Sequence, residues 1–509
     1  MLLSELVDAS ATVGSTRSRT AKVAALAAAL RSAAPDEVET ATAYLSGVLR
    51  QRRTGLGWRG LADLPPPAGE STLTLAEVDE SFEAAGSVSG PGSRTRRAEL
   101  VATLFGRATA AEQEYLRRLA TGELRQGALD GLMLEAIAVA ADLPAATVRR
   151  ASMLCGATVP VAVAALTEGA HGLARFALEP GRPLRPMLAA SATDLVEAFA
   201  RREPGGGPVA VDGKIDGIRI QVHKYDGRVA VYTRSLEEIT DRLPEVVDAV
   251  LGLPAETLVL DGEAIALRPD GRPRPFQETG SRTASQSEAA LSRTHVPVTP
   301  YFFDLLHIDG EDVLDLPGGT RFGRLESVVP EQLLVPRLVT DDVAEAQRFY
   351  DAIIARGHEG VVVKDLAAPY DAGRRGSGWV KVKPRHTLDL VVLAVEWGSG
   401  RRQGWLSNIH LGARDPATGG FTMLGKTFKG MTDEMLAWQT ERFLGLEVAR
   451  SRHVVEVRPE QVVEVAFDGV QTSSRYPGGM TLRFARVVRY RDDKTADEAD
   501  SVAAVRRFL

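Results

Sequence analysis

Two hydrophobic rhythms divide the chain. Over roughly the first 180 residues, apolar side chains recur three and four apart, as in Tyr115-Leu116-Leu119 and Leu129-Leu132-Met133-Ile137. That spacing predicts amphipathic helices. The breaks at Asp63-Leu64-Pro65-Pro66-Pro67 and Ser87-Val88-Ser89-Gly90-Pro91-Gly92 predict loops. After Pro180-Gly181-Arg182-Pro183 the rhythm shortens to β-branched runs: Val209–Val211, Ile218–Val222, Val229–Tyr232, Leu258–Leu260, Tyr301–Phe303 and Val361–Val363. These predict antiparallel sheets with helices between them. Past Lys383-Pro384-Arg385 come Leu390–Val395, His410–Ala413, Val454–Val457, Val462–Ala466 and Leu482–Tyr490. About five strands separated by Gly and Pro turns suit a small closed barrel. The segment Gly271 to His295 reads as a loop with a short helix, and no solenoid repeat is visible.

Length supports that division, since 509 residues exceed one ordinary core. We therefore expect an all-α domain over 1–180, an α+β domain with antiparallel sheets over 181–385 and a barrel over 386–509. No run of about 20 apolar residues predicts a membrane span, and the first residues lack the pattern of a secretory signal. The single cysteine, Cys155, permits neither an intrachain disulfide nor a cysteine zinc cluster. These features predict a cytoplasmic protein, expected to act as a monomer. The net charge of −6 argues mildly against nucleic acid as a partner. Between Gly92 and Gln126, however, seven arginines face four glutamates, and phosphate binding needs basic residues only where the backbone lies.

The candidate chemistry centres on Lys214, in a polar turn between the runs Pro208–Val211 and Ile218–Val222. A turn lysine is ordinarily just solvated. Here Asp212 and Asp216 flank it, Gly217 lets the backbone approach a ligand, and Arg219 adds a fixed cation suited to phosphate or ribose oxygens. A lysine amine attacks phosphorus only without its proton, so such a site must favour the neutral form. Farther along, Glu263 ends a strand and Glu359 leads a buried one. Lys381 and Lys383 are expected on one strand face, where two like charges call for an anion between them.

Lys214-Ile215-Asp216-Gly217-Ile218-Arg219 resembles the first motif of the covalent nucleotidyltransferases: DNA ligases, RNA ligases and capping enzymes. Further resemblances follow in the family's order. They are Thr233-Arg234-Ser235, Leu260-Asp261-Gly262-Glu263, Tyr301-Phe302-Phe303-Asp304, Glu359-Gly360-Val361-Val362-Val363-Lys364, Ser377-Gly378-Trp379-Val380-Lys381-Val382-Lys383 and Arg491-Asp492-Asp493-Lys494. Leu482-Arg483-Phe484-Ala485-Arg486 resembles the ligase Leu-Arg-Phe-Pro-Arg, with Ala485 in place of proline. Arg185-Pro186-Met187-Leu188-Ala189 resembles the lead-in to the ligase catalytic core. Leu124-Arg125-Gln126-Gly127 resembles part of the helical DNA-binding domain of ATP-dependent DNA ligases, a domain that capping enzymes and most RNA ligases lack.

The resemblance implies a DNA-binding helical domain, an adenylation domain and an OB-fold barrel that seal nicks in double-stranded DNA with ATP. Lys214 would form the bond to AMP. Asp212 would contact adenine, with one methylene less than the family's Glu, and Phe303 would stack on the base. Arg219, Arg234, Glu263, Arg375, Lys381, Lys383, Arg491 and Lys494 would contact the rest of ATP. Glu263 and Glu359 would help hold Mg2+, for which Mn2+ can substitute. DNA would be read by backbone and shape, and about ten phosphate contacts would give a log–log salt slope of roughly −9. An NAD-dependent ligase is disfavoured, because its zinc site needs cysteines. An RNA ligase or capping enzyme, and a DNA-binding relative with a dead site, stay open as alternatives.

Overall fold

In a computed structural model of the protein, residues 1–51, 54–124, 130–202, 206–284, 296–372, 375–399 and 402–509 are described. The side chains of 375–377 lie outside that description, and with them the Arg375 side chain. So does Arg125, which the sequence places in the DNA-binding segment.

By contacts the described chain forms two units. The first comprises Met1–Arg274 and Thr279–Lys381, the second Pro275–Glu278 and Val382–Leu509. Within the first unit, the described residues before Leu188 form helices and turns, the last two long helices being Ala145–Cys155 and Val159–Ala174. Their apolar stripes meet in one core containing Leu3, Leu26, Tyr44, Phe82, Phe105 and Ile137. Thr74 and Thr109 cap two of these helices, each in a capping box with a glutamate three residues on, Glu77 and Glu112.

The rest of the first unit is built on ten strands: β1 (Leu188–Ala192), β2 (Val209–Lys214), β3 (Ile218–Tyr225), β4 (Arg228–Thr233), β5 (Leu258–Ala266), β6 (Val298–Ile308), β7 (Glu311–Asp312), β8 (Arg337–Thr340), β9 (Gly360–Asp365) and β10 (Arg375–Val382). They form two five-stranded sheets, in the orders β1-β10-β9-β2-β8 and β4-β3-β5-β6-β7. The helix Pro244–Leu251 covers the second sheet on a core that includes Val222, Val231, Val246, Leu260 and Phe302. Every run read as a strand in this region lies inside one. The strands β1, β7 and β8 carry no readable alternation because they are short, and both residues of β7 are exposed.

The second unit is an OB-like sheet domain. Its strands are β11 (His386–Trp397), β12 (Leu406–Asp415), β13 (Gly420–Thr427), β14 (Glu447–Arg450), β15 (Val454–Val457), β16 (Val462–Phe467), β17 (Gly469–Thr472), β18 (Met480–Arg483) and β19 (Arg486–Tyr490). The long β11 is its axis, pairing with β12, β15 and β16. Nine strands thus replace the five expected. Four-residue strands carry too little periodicity to be read. The run Leu482–Tyr490 is moreover broken in two, where Phe484 takes a positive φ of 54°.

Candidate active site

Lys214 is the last residue of β2, on a strand and not in the polar turn expected. Its strand partner across the ladder is Gly360. Gly360 has φ 142°, a conformation that suits glycine, and the residue before it donates its backbone N–H to the Lys214 carbonyl at 3.0 Å. The side chains follow: Lys214 Nζ makes a tight ion pair with Glu359 Oε2, both partly exposed.

Three residues after Lys214 the chain has crossed to the other sheet. Gly217 makes this crossing possible, because a Cβ there would overlap the Ala264 carbonyl oxygen and stand 2.8 Å from Glu263 Cγ. In β3, Arg219 lies opposite Glu263 of β5. The Arg219 guanidinium makes a two-pronged pair with Asp261, at 3.0 and 2.6 Å, and Tyr370 Oη donates to the same carboxylate at 2.7 Å. Such forked bonds fix the plane of the guanidinium. Burial pushes the Glu263 carboxyl up to about 7; Lys214 and Arg219 oppose that shift, while Asp216 and Asp261 add to it.

Phe303, half-buried on β6, faces this cluster. Its ring packs edge-on against Trp379, with centroids 5.8 Å apart. The Arg219 guanidinium carbon lies 5.2 Å from the Phe303 ring centroid and Lys364 Nζ 4.5 Å from it. An aromatic face already flanked by cations, beside a lysine amine, is suited to a nucleotide base with its phosphates nearby.

Asp212 is 2% exposed, and its oxygens are taken by Arg337 at 2.6 and 2.8 Å and by Lys364 at 2.7 Å. Burial pushes the Asp212 carboxyl up, but the two cations outweigh it and hold the group below the usual carboxylate range. Arg337 and Lys364 also donate to the Phe303 carbonyl, at 3.0 and 3.2 Å. With both oxygens engaged by cations that also bind the Phe303 carbonyl, Asp212 braces the strand that carries Phe303.

The other expected residues divide. Arg234 is exposed on the turn after β4. Lys381 lies on β10, but Lys383 lies past the end of that strand, ahead of Pro384, and its Nζ donates to Asp468 at 3.3 Å. Lys381 and Lys383 are both half-buried on either side of the buried Val382. Arg491 and Lys494, in the second unit, both bind Asp389, at 3.0 and 2.6 Å. They line an open polar cleft of about 350 Å³ with Trp438, Arg442, Glu460, Gln461 and Asp492.

The motifs contain Asp261, Lys364 and Trp379 without assigning them a role, and they do not contain Arg337 or Tyr370. Asp261 and Lys364 had a signal, a charge inside a buried apolar strand. Arg337 had none, since it meets Asp212 only through the β2–β8 register.

Among the described residues no three His, Cys, Asp or Glu side chains converge on a metal site. Glu263, whose burial leaves its charge poorly matched, and Glu359 nonetheless fit a Mg2+ ion. That ion commonly takes one or two carboxylates plus substrate phosphates.

Comparisons with known proteins identify the family. Residues 186–383 match the ATP dependent DNA ligase domain, 402–494 the ATP dependent DNA ligase C terminal region and 61–138 the DNA ligase N terminus. A protein of Nocardioides sp. strain JS614 called "Probable DNA ligase" is 62% identical, over 100% of this chain and 99% of the relative. One of the same description from Beutenbergia cavernae is 60% identical over 99% of each. The solved chain Pmar-Lig_PreS3 is alike in fold, with a TM-score of 0.61 at 16% identity, covering 96% of this chain and 99% of that one.

Proposed function

The chain belongs to the ATP-dependent DNA ligase family, and from that premise we propose the part that its own residues play in sealing nicks in DNA with ATP. The observation that carries the proposal is Lys214 Nζ, held by Glu359 and faced by Glu263 across the turn to Arg219.

Lys214 Nζ, once it has given up its proton, attacks the α-phosphorus of ATP. The N–P bond forms, the bond to the bridging oxygen breaks, and pyrophosphate leaves with that electron pair. The nick's 5′-phosphate oxygen then displaces Lys214 from phosphorus and takes the AMP. Finally the 3′-hydroxyl attacks the 5′-phosphorus and expels AMP, closing the phosphodiester. Each step is a displacement at phosphorus, so placement and charge neutralisation carry the catalysis. Glu359 aims Nζ. Arg219, locked by Asp261, offers N–H donors to the nucleotide, and Phe303 supplies an apolar face for adenine. Glu263 and Glu359 would hold Mg2+, which neutralises phosphate charge when bound. Lys381, Lys383, Arg375, Arg491 and Lys494 are proposed as phosphate contacts, with the last two on the leaving pyrophosphate. The helices of 1–180 would grip the nicked duplex, the residues 181–385 would carry the adenylation site, and 386–509 would form the OB-like domain.

The test uses α-labelled ATP and Mg2+ without DNA. The natural protein should acquire a covalent label and Lys214→Ala none. Equal labelling of both would remove Lys214 from the mechanism.

A further inference from the structure

The helix Ala145–Cys155 belongs to the helical first third, yet its last turn is built into the walls of the nucleotide pocket. Met153 and Leu154 are 2% and 4% exposed. They share one apolar cluster with Met187, Tyr370 and Trp379, and Phe303 packs against that cluster. Met153 is tied at both of its ends. Its Sδ accepts the backbone N–H of Ala372 at 3.2 Å, and its carbonyl accepts the N–H of Arg185 at 2.9 Å. The Arg185 guanidinium anchors the same region, donating to the Gly156 carbonyl at 3.2 Å, to Thr158 Oγ1 at 2.8 Å and to Asp130 at 3.1 Å.

From Ala372 the path to the reacting groups is short. Tyr370, two residues earlier, accepts the Met187 N–H at 2.9 Å and donates to Asp261 at 2.7 Å. Asp261 fixes both prongs of Arg219. Trp379 stands edge-on to Tyr370 and to Phe303, at 5.9 and 5.8 Å between centroids. Close-packed interiors transmit a lost volume to their neighbours. A gap at Met153 would loosen the Tyr370–Ala372 turn and let Arg219 swing with Asp261.

We propose that Met153 is a positioning residue for the first nucleotidyl transfer, acting through Tyr370 and Asp261 on Arg219. The helical third then serves the ATP step directly, before any DNA is present. This rests on the assignment of Arg219 and Phe303 to the nucleotide.

The experiment measures DNA-free labelling by the full chain across a range of ATP concentrations, together with binding of a fluorescent nicked duplex. Met153→Ala should raise the half-saturating ATP concentration about tenfold. Its maximal labelling rate and its affinity for the nick should both change by less than about twofold. Met153→Leu keeps the volume and loses only a weak sulfur acceptor, so it should restore ATP use to within about twofold of the natural protein. Met153→Val carries the same comparison if the alanine variant does not fold. Arg219→Ala is measured beside them. If it is impaired while Met153→Ala matches the natural protein, the positioning role is wrong and the pocket stands. If Arg219→Ala is also unimpaired, the pocket assignment itself fails. Equal losses in ATP use, maximal rate and nick binding would indicate general loosening and overturn the proposal.

Discussion

The two units handle their cations in opposite ways. In the first, Arg337 and Lys364 are sunk among a carboxylate, a carbonyl and aromatic rings, with 10% and 2% of their side chains exposed, and Asp212 beneath them is 2% exposed. In the second, Arg491 and Lys494 share Asp389 beside an open cleft, Arg491 pairs also with the exposed Asp493, and 14% and 29% of the two side chains are exposed. A buried network is set before the substrate arrives and cannot reorganise without exposing unpaired charge. A partly solvated cation can exchange a carboxylate for a phosphate at small cost. The same residue chemistry therefore serves a fixed cradle in one unit and an exchangeable grip in the other.

The contrast has measurable consequences. Asp212→Ala leaves two cations buried without their carboxylate and should lower unfolding stability by about 3–5 kcal/mol in denaturant titrations. A loss below about 1 kcal/mol would place the triad with ordinary surface pairs. Glu263 should give an intermediate effect that depends on pH. Its carboxyl is raised from the ordinary 4.5 to about 7, so its ionised form costs stability. That cost is absent below about pH 4.5, grows through the window and is complete above about pH 7. Glu263→Gln should therefore stabilise the protein by roughly 1–3 kcal/mol at pH 8 and by almost nothing at pH 4.5. A gain independent of pH would mean that burial of this charge is not the cause. The smallest effect is expected at Asp389→Asn. Thermal unfolding should shift by no more than about 1 kcal/mol equivalent, because its partners keep solvent and Arg491 retains Asp493 at 2.7 Å. A larger loss would show the second unit's cations to be as fixed as those of the first.

The same contrast governs what could be read from the sequence. Lys214, Glu263 and Glu359 were legible because the motif spacing marks them, and the structure gathers them at one turn. Asp212 was legible as a charge but not in its role, which depends on Arg337, a residue 125 positions away and adjacent only through strand pairing. Tyr370 was invisible for a similar reason: a tyrosine after a proline carries no pattern, and its bond to Asp261 spans 109 positions. In the second unit, sequence order gave Arg491 and Lys494 but not Asp389, which sits inside the strand run His386–Trp397. Periodicity reports which face of a strand is apolar, and it is silent on which strand lies alongside.

Between Lys214 and Arg219 lie only four residues, and the chain changes sheets within them. That stretch acts as a ruler. Its length sets the gap between the Lys214 amine and the Arg219 guanidinium, and neither sheet can slide to take up slack, because each strand end is locked by a ladder. Insertions would be absorbed in surface loops almost anywhere else in the unit. Here one added residue would shift the register of one sheet against the other and turn Arg219 to the opposite face. The distance between two groups, and not only their identity, is thus written into the chain as a count of residues.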